Sequence, residues 1–139
     1  MAKALLYRLF GVGGMPQAQA EAIEREGVVL RDDGIRATIT LINYRAPGRY
    51  SAWQRRRVVA SLALTGSRFL AMRLRRPVID VPLADARLRT LKIAVEADGA
   101  LLVAFDPAAF HAGQSGTIEC RFRTDQARAF ADALRARMA

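Results

Sequence analysis

The stretch "RYSAWQRRR", residues 49–57, sets four arginines and two aromatics into nine positions. Cations at that density suit one kind of chemistry. A guanidinium is a planar fork of N–H donors that meets phosphate or carboxylate oxygens two at a time, and several close together add their fields. Arg45, Arg49, Arg55, Arg56 and Arg57 are therefore the expected anion contacts. Tyr50 and Trp53 would shape the same surface, since each carries an apolar ring with a polar edge suited to a lipid headgroup layer. Against an anionic membrane, about 1 kcal/mol per nearby cation would make these arginines a salt-sensitive anchor.

No other residues have the spacing of a reacting centre. General acid and base work needs paired groups within reach of one another. The single histidine, His111, stands in the loop "DPAAFHAGQSG" with no expected partner. Ser51, Ser61, Ser67 and Ser115 lack the strand-to-helix elbow of an activated nucleophile, and no Asp, Glu, His or Cys cluster has metal-ligand spacing. Asp80, Asp85 and Asp106 read as turn formers or partners for nearby arginines. Cys120 alternates with Ile118 and Phe122 as a small buried hydrophobe would, and alone it makes neither an internal disulfide nor a zinc site. The glycines at 11, 13 and 14 follow no strand and precede no lysine, which argues a hinge over a nucleotide loop. The expectation is a non-enzymatic chain with no catalytic residues, no metal and no cofactor.

The formal net charge is +9, from 22 Lys and Arg against 13 Asp and Glu. Its placement says more than its size. No acid lies between Asp33 and Asp80, while Arg36, Arg45, Arg49, Arg55, Arg56, Arg57, Arg68, Arg73, Arg75 and Arg76 all do. The remaining 12 bases and 13 acids nearly cancel, so the whole excess sits in this one third of the chain. A GC-rich coding bias would explain why 20 of the 22 cations are arginine, but not the missing acids.

The elements that must carry these residues follow from length and periodicity. A chain of 139 residues, 52% hydrophobic, is long enough for one domain with its own core and too apolar for disorder. No apolar run approaches the roughly 20 residues that span a bilayer. The start "MAKALLYRLFGVGG" has a cation and a short apolar stretch, yet Arg8 interrupts it and no clean cleavage site follows, so the chain is expected to be retained and cytoplasmic. "KALLYRLF" reads as one or two helical turns whose Leu5, Leu6, Leu9 and Phe10 pack on the domain. A second short helix, "QAQAEAIERE", has Pro16 at its start and Gly27 just past its end.

From residue 28 the period becomes two. "IRATITLINY", "VVASLALT", "RFLAMRL", "PVIDVPL", "LKIAVE", "ALLVAFD" and "TIECRFR" read as seven strands, with tight turns at "GS" (66–67) and "ADG" (97–99). "TDQARAFADALRARM" closes the chain as a helix, with Thr124 able to cap it and Ala127, Phe130, Ala131, Leu134 and Met138 on one face. The expected fold is mainly β with α: a seven-stranded antiparallel sandwich or partly open barrel capped by a C-terminal amphipathic helix. Residues 1–34 form a helical N-terminal extension packed on a domain of residues 35–139.

Seven antiparallel strands closed by one C-terminal helix resembles the pleckstrin-homology superfold. "WQRRRVVASLALTGSRFLAMR" is similar to the tryptophan, basic cluster, strand, turn and strand of pleckstrin-homology and GRAM-like domains, and "FRTDQARAFADAL" to their ending. The whole chain also resembles uncharacterised bacterial proteins of this superfold. The lipid binders of that group carry basic residues on the first strand, the following loop and the second strand. Here the first strand offers only Arg36, while Arg45, Arg49, Arg55, Arg56 and Arg57 are expected in that loop and at its end. The resemblance implies a binding or adaptor module, working in the cytoplasm or at the inner face of a membrane.

Three partners follow from the basic stretch. An anionic lipid headgroup or phosphate would engage the arginines directly. Alternatively the domain binds an acidic protein partner or a second copy of itself, or the loop is only a solvated face, with Trp53 folded onto the core and its arginines paired to Asp80 or Glu96. Nucleic acid ranks below these, for want of a helix-turn-helix, a zinc finger or aromatics on a central strand.

Overall fold

The structure, a computed structural model, describes Lys3 and residues 14–139. The apolar turns expected around Leu5, Leu6, Leu9 and Phe10, the glycines at 11 and 13, and Arg8 lie outside the described residues.

Helix α1 (Gln17–Glu26) starts after Pro16 and stops at Gly27, whose φ of 87° suits a residue without Cβ and whose N–H returns to the Glu24 carbonyl. Its one fully buried side chain, Ile23, joins Met15, Ala63, Leu70 and Met72 in a small cluster on the outside of the sheet. Strands β1 (Val28–Ala46), β2 (Arg49–Thr65), β3 (Arg68–Arg73), β4 (Arg76–Pro82), β5 (Lys92–Val95), β6 (Leu101–Phe105) and β7 (Ser115–Phe122) follow in that order. They form one antiparallel sheet, β4-β3-β2-β1-β7-β6-β5, curled into a half-barrel. Helix α2 (Ala127–Met138) fills the concave side, burying Ala127, Phe130, Ala131 and Leu134 against Leu62, Phe69, Val81, Leu101, Val103 and Phe122. The Phe69 and Phe130 rings lie 6.4 Å apart.

Three expectations need correction. Strand β1 begins at Val28, so residues 28–34, assigned to a helical extension, belong to the sheet. The change to period two at residue 28 already marked this start, and register shifts between Val28 and Leu30 and between Asp32 and Ile35 put irregularities into the strand's first part. Thr124 does not cap α2 directly. Its buried hydroxyl accepts the Gln126 N–H at 3.1 Å and donates to Asp32 Oδ2 at 2.6 Å, tying the helix entry to β1 one turn early.

The third correction concerns the basic stretch, which is not a loop. Pro47 and Gly48 make a two-residue turn between Ala46 and Arg49, with Gly48 at φ 71°, and β2 runs unbroken through residues 49–65. Long β1 and β2 pair along most of their length, with Val, Ile, Thr and Tyr in β1 and Tyr, Trp, Val and Thr in β2. The "GS" and "ADG" turns fall where expected. Asp80 pairs with Arg68, while the Asp85 and Asp106 carboxylates accept the backbone N–H groups of Arg87 and Ala108.

Candidate anion-binding arm

Local backbone geometry aims the arm. Gly116 has φ 111°, and a Cβ there would stand 2.5 Å from the Asn43 carbonyl oxygen, so only glycine lets β7 approach. Asn43 itself is left-handed at φ 48°, and the β1–β7 register shifts between Ile42 and Arg45. The β1 backbone is therefore irregular between Ile42 and Arg45, within its pairing to β7.

The register distributes the arginines over both faces of the arm. Thr38 stands opposite Arg57 and Thr40 opposite Arg55, while Ile39, next to the core, stands opposite Arg56. Side chains alternate along a strand, so Arg55 and Arg57 project on the outer face and Arg56 on the other. Arg55 is held in place: its Nε donates to Thr40 Oγ1 at 3.1 Å, and its guanidinium carbon lies 5.4 Å from the Trp53 ring centroid. Nearer the turn, Arg45 sits 4.6 Å over Tyr50, and Arg49 sits 5.5 Å from the Tyr44 ring and donates to Gln54 Oε1 at 3.2 Å. Each such cation–π contact at an exposed site is worth about 0.5–1 kcal/mol, enough to bias a side chain without locking it.

Trp53 is 61% exposed and Tyr50 52% exposed. The alternative in which Trp53 folds onto the core is thus overturned. The expected neutralising pairs are also absent. Asp80 is taken by Arg68 at 3.2 Å and Glu96 by Arg121 at 2.7 Å, with Glu119 also on Arg121 at 3.0 Å. Among the described residues, Arg45, Arg49, Arg55, Arg56 and Arg57 form no ion pair with a carboxylate.

The structure thus brings all seven singled-out residues, Arg45, Arg49, Tyr50, Trp53, Arg55, Arg56 and Arg57, onto one hairpin, though not into one cup. Arg55 is anchored to the fully buried Thr40, a residue that alternation alone placed on β1 without a role.

Elsewhere, Pro77, Val78, Ile79, Asp80, Arg87, Phe105, Phe110 and His111 line a small cleft of about 120 Å³. Phe105 and Phe110 meet edge to face at 5.6 Å there, and the exposed His111 sits at the rim. Among the described residues no group of three His, Cys, Asp or Glu side chains could hold a metal ion, and no helix is long and apolar enough to cross a membrane. Burial pushes the Cys120 thiol up to about 12, which keeps it protonated and inert. A scan against protein-family models finds no match for this chain, and a search of curated proteins finds no similar one.

Proposed function

We propose that this chain is a non-enzymatic binding module that takes anionic groups along the β1–β2 arm. One observation carries the proposal: Arg45, Arg49, Arg55, Arg56 and Arg57 have no carboxylate partner among the described residues, although Arg31, Arg68, Arg87, Arg121 and Arg123 all do. Guanidinium forks left open in this way are available to phosphate or carboxylate oxygens. Exposed Tyr50 and Trp53 add apolar contact beside them. The seven-stranded antiparallel half-barrel with its C-terminal helix is in keeping with the pleckstrin-homology resemblance, which favours an adaptor over a catalyst, although a fold by itself never fixes an activity.

Anionic lipid headgroups and free phosphates offer the same oxyanions, and a binding series separates them. Wild type and the triple variant Arg55→Ala/Arg56→Ala/Arg57→Ala are tested across a salt range against phosphatidylglycerol-rich vesicles, neutral vesicles, tripolyphosphate and an acidic peptide. The expected result is salt-sensitive binding to an anionic probe, lost in the variant while its circular dichroism is unchanged. Wild-type protein that binds none of the anionic probes at low salt would overturn the proposal.

A further inference from the structure

The two outermost strands of the sheet, β4 and β5, are blocked as edges. The β4 edge carries Pro77 and Pro82, which lack the N–H a new strand would need. The β5 edge is short, and its Ile93 carbonyl is occupied by Arg135 Nη2 from α2 at 2.8 Å. Proteins manage strand edges in just these ways, because an open edge pairs with whatever extended chain it meets.

The outer side of β2 is open. β3 pairs with β2 only over residues 60–64, so residues 49–58 of β2 have no partner strand on the side away from β1 among the described residues. The direction of their main-chain groups can be read from two hydrogen bonds. Arg36 and Val59 are register partners, yet the Arg36 carbonyl accepts the Arg123 N–H beyond β7, and the Val59 carbonyl accepts the Leu74 N–H beyond β3. Both residues of this pair turn outward from the β1–β2 ladder. In an antiparallel ladder the turn repeats every second residue, so Arg57, Arg55 and Trp53 direct their N–H and C=O groups to the open side. No proline interrupts residues 49–58.

We infer that this edge accepts an extended acidic peptide as an added antiparallel strand, a proposal that rests on the anion-binding arm and names its partner. Charge selects the occupant. A second copy of β2 would bring its own Arg55, Arg56 and Arg57 against the same row, and like charges facing each other across a ladder are destabilising. A membrane plane or a single phosphate would engage one face, whereas Arg55 and Arg57 stand on one face and Arg56 on the other. A strand lying along the edge presents side chains to both faces at once. Main-chain hydrogen bonds would supply affinity and the arginines selectivity, the division found in strand addition generally. Read antiparallel to β2, the partner meets Arg57, then Arg56, then Arg55, then Trp53 two positions on. The fitting sequence is three consecutive acids, a spacer and an apolar residue.

The test uses the full chain and a short blocked peptide, Val-Glu-Glu-Glu-Thr-Val-Thr, beside an analogue N-methylated at alternate backbone amides, which keeps every charge and removes the N–H donors. The expected result is salt-sensitive binding of the parent peptide, with Trp53 emission shifted to shorter wavelength and slowed amide exchange at Arg57, Arg55 and Trp53. The methylated analogue should bind at least tenfold more weakly. Equal binding of the two peptides overturns strand addition while leaving the anion-binding arm standing. Binding of phosphatidylglycerol-rich vesicles or tripolyphosphate with no binding of the peptide overturns the peptide partner alone. Concentration-dependent self-association that slows the same amides without peptide overturns it in favour of a second copy. Failure of every anionic probe overturns both proposals together.

Discussion

Arg55 on β2 stands opposite Thr40 on β1 and donates its Nε hydrogen to the Thr40 hydroxyl, a polar group otherwise fully buried in the sheet. The contact does two things at once. It satisfies a buried oxygen that would cost about 1–3 kcal/mol if left unpaired, and it points the remaining guanidinium donors outward beside Trp53.

Arg55 should therefore tolerate lysine less well than its neighbour Arg57, which shows no comparable anchor. Arg55→Lys keeps the charge but loses the fork and the fixed Nε donor. Titration of the acidic peptide should show Arg55→Lys weakened several-fold and Arg57→Lys close to wild type. Equal losses would remove the positioning role of Thr40.

Gly116→Ala should destabilise the fold by about 2 kcal/mol or more, from a left-handed φ and a Cβ placed against the Asn43 carbonyl. Urea unfolding reads the loss as a lower midpoint at unchanged slope. Because Ile42, next to Asn43, stands opposite Trp53, partial relief by a shift of β1 would appear as changed Trp53 fluorescence in the native state.

Glu26 couples α1 to the β2–β3 turn. Burial pushes its carboxyl up, but hydrogen bonds from Arg68, Thr65 and Ser67 outweigh that effect and hold its pKa below the usual 4.5. A depressed folded-state pKa gives stability that is present above the unfolded value and is lost as pH falls through the folded one. Glu26→Gln should therefore be less stable than wild type at neutral pH, and thermal melts of the two should converge as pH drops below about 4. A gap that persists in acid would assign the effect to shape and not to charge.

Cys120, fully buried between Ile39 on β1 and Val103 on β6, should resist a thiol reagent in native protein at neutral pH. Its labelling should begin only with global unfolding, so the rate should rise with urea along the unfolding curve. Rapid labelling without denaturant would show local opening of the β1–β7–β6 ladder.

Much of this architecture was legible because it depends on short-range periodicity. Alternation in "IRATITLINY" and "TIECRFR" marks β1 and β7, Gly27 marks the end of α1, and the apolar stripe of Phe130, Ala131 and Leu134 marks the face of α2 that meets the sheet. A local excess of arginine was legible too, since no acid lies between Asp33 and Asp80.

What tertiary structure alone decided is where those arginines stand. "RYSAWQRRR" reads as a loop because three successive cations break any apolar alternation, yet it is strand, since its pairing with β1 supplies the main-chain hydrogen bonds regardless of side-chain pattern. The pairing of residues 28–34 with β2, through two register shifts, was likewise a tertiary outcome. The partners of Asp80 and Glu96 depend on which strands become neighbours, a long-range outcome that put Arg68 and Arg121 beside them and left the arm uncompensated. The open edge of β2 follows from a mismatch in length, a β2 of 17 residues beside a β3 of 6. Composition fixes the charge of this protein; the ladder of paired strands fixes that the charge lines an edge.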